Sequence, residues 1–209
     1  LAPKLYNENY VKNFIEIEDF GDDTVFNLLK KKGSKKINLY KKSIDLLIKI
    51  QKIKQNKIKN FKGNNYQIPI YNKAKLFAET KLFLDWYAKK YVSRNQKYKF
   101  NIEVKKQIRF LLSRLKLKNN IFVHRDFHVS NLMRFKKQLA TIDTQDAVIG
   151  NRAYDLASLI DDVRFKTNKK FKDDIYNYYL KLNKKKINED IFQNDFEILS
   201  VLRNMKIIG

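Results

Sequence analysis

The chain has 209 residues, enough for one substantial core, and its 44% hydrophobic content excludes wholesale disorder. It contains no cysteine, which excludes disulfides and thiolate metal sites and fits a cytoplasmic setting, and no apolar run approaches the roughly eighteen residues of a membrane-spanning helix. Lysine and arginine number 45 against 22 acidic residues, for a formal charge of +23, but the lysines are spread along the chain, whereas a nucleic-acid footprint clusters on one face.

In chain order, Ile37, Tyr40, Ile44, Leu47, Ile48 and Gln51 recur at helical spacing. Residues 63–69 (GNNYQIP) read as a loop from their turn residues. Leu76, Phe83, Trp86, Tyr87 and Tyr91 form a second helical stripe whose aromatic rings are expected to pack a core, and Ile108, Leu111, Leu112 and Leu115 form a third. Residues 121–123 (IFV) read as a buried strand, and residues 132–135 and 138–142 as a hairpin turning at Lys136 and Lys137. Residues 152–163 predict a helix, the short run Lys184, Lys185 and Lys186 extends a loop, residues 187–190 open the next helix, and residues 196–209 form an amphipathic helix. Nothing repeats at a fixed period and no Gly/Ser or Pro linker intervenes, so residues 1–209 read as a single domain.

Both histidines fall in residues 124–132, HRDFHVSNL, and an Asp closes the next apolar run at position 143. That order and spacing are those of a phosphoryl-transfer site. An Asp just after H-R accepts the hydroxyl proton, an Asn five residues on holds a metal ion, and a second Asp beyond a short hairpin holds metal against nucleotide phosphates. Asp126 fits the base, and Asn131 and Asp143 the metal ligands. Such chemistry is mainly positioning and charge neutralisation, and hard oxygen ligands suit Mg²⁺. One competing interpretation draws His124, Asp126, His128 and Asp143 as a zinc cluster, since side chains two apart share a face of an extended segment. Another is a polar turn between strands. The chain offers no third His and no Cys, which zinc favours.

The stretch from residue 121 to 162, with HRDFHVSNL, then IDTQDA, then AYDLASLIDD, resembles the aminoglycoside phosphotransferase and choline kinase branch of the protein-kinase-like fold. Within that branch, the QDA and YDLASL blocks most resemble bacterial kinases that phosphorylate the anomeric hydroxyl of N-acetylmuramate or N-acetylglucosamine, and residues 79–87 (ETKLFLDWY) are similar to another block of that subgroup. The resemblance implies an α+β, mainly helical fold corresponding to the large C-terminal lobe of a protein-kinase-like fold, with the small nucleotide lobe missing except for the hinge. It also implies ATP and Mg²⁺ as cofactors, a small-molecule acceptor and no membrane partner.

Residues 14–21 (FIEIEDFG) resemble the hinge between lobes, so residues 1–22 are expected to be the hinge region and 23–209 the large lobe. Main-chain groups near Ile17, Glu18 and Asp19 would then meet the adenine. The five glycines form no G-x-G-x-x-G and no strand lysine is available upstream, and the final helix stops without a polar tail. The chain therefore reads as truncated at both ends, a fragment expected to transfer phosphate at a negligible rate by itself.

By the same resemblance, Asp155 corresponds to a buried Asp that steadies the catalytic loop; the alternative is a carboxylate favoured by a helix N-terminus. Glu79 and Asp85 lie on a segment that approaches the acceptor sugar in the resembling kinases. Asp146 either orients the acceptor or caps the turn before Gly150, and His124 is expected to be structural. Asp143 is followed by T-Q-D in place of F-G and no A-P-E follows, so activation-loop regulation is not expected. The alternative function is a catalytically silent kinase-like module that binds RNA, or an RNA-modifying partner, through its positive surface, with binding that falls steeply with salt.

Overall fold

The first strands are short and exposed. β1 (Leu5–Asn9) and β2 (Phe14–Ile17) pair antiparallel through a turn in which Asn13 adopts φ 53, a left-handed conformation that Asn tolerates better than most residues. β1 was not anticipated, because its side chains are almost all exposed and carry no apolar alternation. This computed structural model describes residues 2–9, 11–59, 63–184 and 187–209; Lys185 and Lys186 of the expected charged run lie outside them.

α1 (Val25–Lys30) starts at Thr24, whose hydroxyl accepts from the Asn27 N–H. α2 (Lys36–Ile50) buries Tyr40, Ile44 and Leu47 of the expected stripe, with Gln51 at its C-cap, while Ile37 and Ile48 are half-buried and Ile50, outside the stripe, is buried as well. The expected loop at residues 63–69 is in part a strand: β4 (Asn65–Gln67) pairs antiparallel with β3 (Lys57–Lys59). Every residue of both strands is exposed, so no hydrophobic pattern marked them; the Asn56 carbonyl closes the ladder by accepting from the Ile68 N–H at 2.9 Å.

α3 (Lys73–Thr80) is capped by Asn72 and followed by a π-helical turn (Phe83–Ala88), α4 (Lys89–Tyr91) and α5 (Lys97–Ser113). The expectation that this stripe packs a core needs correction. Leu76 and Leu84 are buried, but Trp86 is 67% and Tyr91 62% exposed. The wider π turn carries these rings off the apolar face, and Phe83, Tyr87 and Tyr91 pack on one another instead, with centroids 5.2 and 4.6 Å apart.

β5 (Asn119–Val123) is the expected buried strand, and its partner is the unanticipated β8 (Val148–Asn151). A side chain at Gly150 would begin 3.2 Å from Val123 Cγ2 and 3.3 Å from Tyr71 Cβ, so a larger residue at this crossing would require those neighbours to give way by a few tenths of an ångström. β6 (Leu132–Phe135) and β7 (Gln138–Thr141) form the expected hairpin, turning at Lys136 with φ 56.

α6 (Tyr154–Ile160) is shorter than the predicted 152–163 and buried at every position. α7 (Lys169–Asn183) and α8 (Glu189–Ile208) pack around it; α8 takes in residues 196–208 of the predicted 196–209 helix but begins earlier, capped by Asn188. The result is a mainly helical α+β fold in which β5, β8 and α6 form the floor beneath the loop at residues 124–131. No helix among the described residues is long and apolar enough to cross a membrane.

Candidate active site

Residues 124–131 connect β5 to β6 and are fixed from below. Phe127 and Val129 have no exposed surface, and burial of such side chains stabilises by about 1.5–3 kcal/mol each. The polar backbone is held by two buried carboxylates. Asp155, at the start of α6, accepts the His124 N–H at 2.7 Å and the Arg125 N–H at 3.0 Å, and Asp162 accepts the Val129 N–H at 3.1 Å. Arg125 takes φ 75, a strained conformation for a residue with a side chain, costing on the order of 1–3 kcal/mol unless its surroundings fix it.

Complete burial pushes the Asp155 carboxyl up to about 6, opposed by the charge of His124 and by the two backbone donors. Because the folded value lies above the ordinary 3.8, the stability this group contributes is fully present below the unfolded value and is lost as pH rises through about 6. Its protonated form, however, has a hydroxyl facing a backbone donor. Any rate that depends on the geometry of this loop is therefore expected to fall as pH drops through about 6, with no loss of stability from this group over the same step. Parallel rate and thermal-melting measurements check this.

Asn131 ties the loop to the end of the hairpin. Its Nδ2 donates to the Asp126 carbonyl at 3.1 Å and to Asp143 Oδ2 at 3.3 Å, and its own carbonyl accepts the Ile142 N–H at 3.0 Å. Asp143 also sits at positive φ, 64, and Gln145 donates to its Oδ1 at 2.5 Å. Asn131 and Asp143 thus meet, beside the residue that carries the Asp126 carboxylate. With both amide hydrogens committed, Asn131 has its Oδ1 left as an acceptor, and together with the Asp143 carboxylate this makes a hard-oxygen pair suited to Mg²⁺ with phosphate oxygens. Asp126 is half-buried, with no side-chain hydrogen bond among the described residues.

The zinc arrangement is not present. His124 turns Nε2 to the Ile142 carbonyl at 3.0 Å and to the Thr141 hydroxyl, which makes it a strut between the loop and β7. His128 is buried, and burial together with the Arg164 charge holds its imidazole down at about 4. Among the described residues no three His, Cys, Asp or Glu side chains are grouped to hold a metal.

A cavity of about 230 Å³ opens beside the loop, lined in part by Tyr66, Tyr71, Lys75, Glu79, Arg125 and Asp146. Its wall is anchored to β8, because the Tyr71 N–H donates to the Ile149 carbonyl at 2.8 Å. Arg125 Nη2 meets Glu79 Oε1 at 2.7 Å, and Nη1 lies 3.3 Å from the Asp146 carbonyl and 3.8 Å from its carboxylate. Glu79 Oε2 accepts from the Tyr71 hydroxyl at 2.6 Å and pairs with Lys206 at 2.8 Å. Burial works against the charge, but Lys206, Tyr71 and Arg125 hold the Glu79 carboxyl below its ordinary range. Three larger concavities, about 390 Å³ against α7 and α8, about 660 Å³ around residues 91–103 and about 350 Å³ beside α1 and α2, are lined by none of residues 124–131 and not by Asp143.

The structure thus brings Glu79 and Asp146 to the same cavity as Arg125. Asp85 is elsewhere, in an exposed pair with Lys81 at 2.6 Å. The Glu18 N–H is engaged by the Lys4 carbonyl at 2.8 Å, Asp19 accepts from the Gly21 N–H at 2.7 Å, and Ile17 ends β2 half-exposed. The neighbouring Phe20 stacks on Phe135 at 4.2 Å and clusters with Met133 and Ala140, which places residues 18–21 against the hairpin that leads to Asp143. Tyr71, Arg125 and Lys206 were not singled out from the sequence. Arg125 stands inside the motif and could have been; nothing distinguishes Lys206 from the other lysines.

The phosphotransferase enzyme family profile matches residues 37–189, and the chain belongs to that family. It is 26% identical to the N-acetylmuramate/N-acetylglucosamine kinase of Neisseria meningitidis serogroup B, over 100% of this chain and 62% of that relative, so the chain spans about three fifths of its length. In fold it is similar to the ADP-bound aminoglycoside phosphotransferase APH(2'')-Ib, with TM-score 0.57, 15% identity, and 98% of this chain and 76% of that one covered. The choline kinase of Cryptosporidium parvum gives TM-score 0.57 and 14% identity, covering 98% of this chain and 65% of that one.

Proposed function

We propose that the protein is an ATP-dependent phosphotransferase that moves the γ-phosphate to a hydroxyl of an amino sugar, with residues 1–22 as the hinge region and residues 23–209 as the large lobe. The observation that carries this is the contact of Asn131 with both Asp143 and the Asp126 backbone. Asp126 accepts the proton of the attacking hydroxyl, which a well-placed carboxylate does at a gain of roughly 10²–10⁴-fold in rate. Asn131 Oδ1 and Asp143 are the groups that would hold Mg²⁺ with the nucleotide, and main-chain groups near Ile17, Glu18 and Asp19 would face the adenine. Bound there, magnesium ATP supplies the phosphoryl group and neutralises its charge. An ATP donor also fits a cytoplasmic setting.

One observation supports an amino sugar. A sequence relative that spans the whole chain is an N-acetylmuramate/N-acetylglucosamine kinase. The test is to incubate the protein, as its gene encodes it, with ATP, Mg²⁺ and a panel of sugars, amino sugars and aminoglycosides, with phosphate transfer read by mass. Transfer to an N-acetylated amino sugar is expected; transfer to aminoglycosides alone would contradict the proposal.

A further inference from the structure

Arg125 is held at both ends. Its backbone N–H is fixed by Asp155 at 3.0 Å with φ 75, and its guanidinium is fixed by Glu79 at 2.7 Å, over the Tyr71 ring at 5.4 Å. Arg125 and Glu79 are 18% and 22% exposed, so their attraction is less screened than that of a surface pair. Both Glu79 oxygens are occupied, Oε1 by Arg125 and Oε2 by Tyr71 and Lys206. A carboxylate so committed has little left for an acceptor hydroxyl. The residue that follows Arg125 is Asp126.

We infer that Glu79 and Arg125 form a positioning pair, braced by Lys206 of α8, that sets the direction of the Asp126 carboxylate from the acceptor side. Glu79 acts through Arg125 rather than by binding the sugar. The proposal rests on Asp126 being the base. A misplacement of about 1 Å at a reacting group can cost on the order of 100-fold in rate, so the pair should govern kcat more than KM.

The experiment is a double-mutant cycle with Glu79→Gln, Arg125→Met and the double variant, assayed well below each melting temperature. Each single change is expected to lower kcat on the order of 100-fold while moving KM for ATP and acceptor far less. The double variant should be no worse than the more damaging single, because the two act as a unit. Lys206→Met should fall in the same sense by less, and Lys169→Met, on an exposed pair with Asp173, should have no effect. A Glu79→Gln variant with raised acceptor KM at unchanged kcat would assign Glu79 to the sugar and overturn the inference, as would additive losses. If Glu79→Gln does not fold, Tyr71→Phe, which removes one hydroxyl from Glu79, should lower kcat at unchanged KM; unchanged kcat overturns the inference. An Asp126→Asn variant with full activity would sink the base assignment itself. An inactive Asp126→Asn alongside a fully active Glu79→Gln sinks only the positioning pair.

Discussion

Replacing Asp126 by Asn is expected to lower phosphate transfer by about 10²–10⁴-fold while nucleotide affinity stays close to that of the native protein. Asn matches Asp in shape but does not accept the proton. It also leaves the Asp126 carbonyl, on which Asn131 leans at 3.1 Å, in place. The loop beneath is held by Asp155 and Asp162 through the backbone of residues 124, 125 and 129, none of which involves the Asp126 side chain. The defect should therefore appear in kcat, measured by coupled assay, with ADP binding by calorimetry and thermal melting unchanged. Unaltered turnover would remove Asp126 from the chemistry.

Asp195→Ala should cause the largest loss of stability, roughly 3–5 kcal/mol by urea denaturation, against a total of about 5–15 kcal/mol for a typical domain. Asp195 is fully buried in α8 and accepts the Lys116 N–H at 2.9 Å, the Leu117 N–H at 2.8 Å and Asn151 Nδ2 at 2.6 Å. Asn151 passes the link on, its Oδ1 accepting the Ala153 N–H at 3.0 Å just before α6. One carboxylate thus joins α8, the entry to β5 and the junction of β8 with α6. Its removal strands several buried donors at once. Since β5 feeds the loop at residues 124–131, activity should be lost with the fold. A change of less than about 1 kcal/mol would mean that these donors find other partners.

What the sequence revealed depended on whether the information was local. The β6–β7 hairpin and the loop motif are set by spacing within a few residues, and the buried face of α2 by a clean periodicity. β1, β3 and β4 were not legible because their side chains face solvent and carry no alternation. The π turn at Phe83–Ala88 preserved a helical pattern on paper while carrying Trp86 to the surface. Asp195 and Lys206 looked like ordinary polar helix positions, because partners such as Leu117 and Glu79 are distant in sequence and meet them only in the folded chain. For the same reason the resemblance singled out Glu79 but did not show its ties to Arg125, Tyr71 and Lys206.

The most direct measurement is ADP affinity with and without Mg²⁺, by calorimetry, in the native protein and in Asn131→Ala, Asp143→Ala and Asp126→Asn. If Asn131 and Asp143 hold one divalent cation beside the base, Mg²⁺ should tighten ADP binding in the native protein and in Asp126→Asn, and should lose that effect in the other two. An equal response to Mg²⁺ in all four proteins would contradict a shared phosphoryl-transfer site.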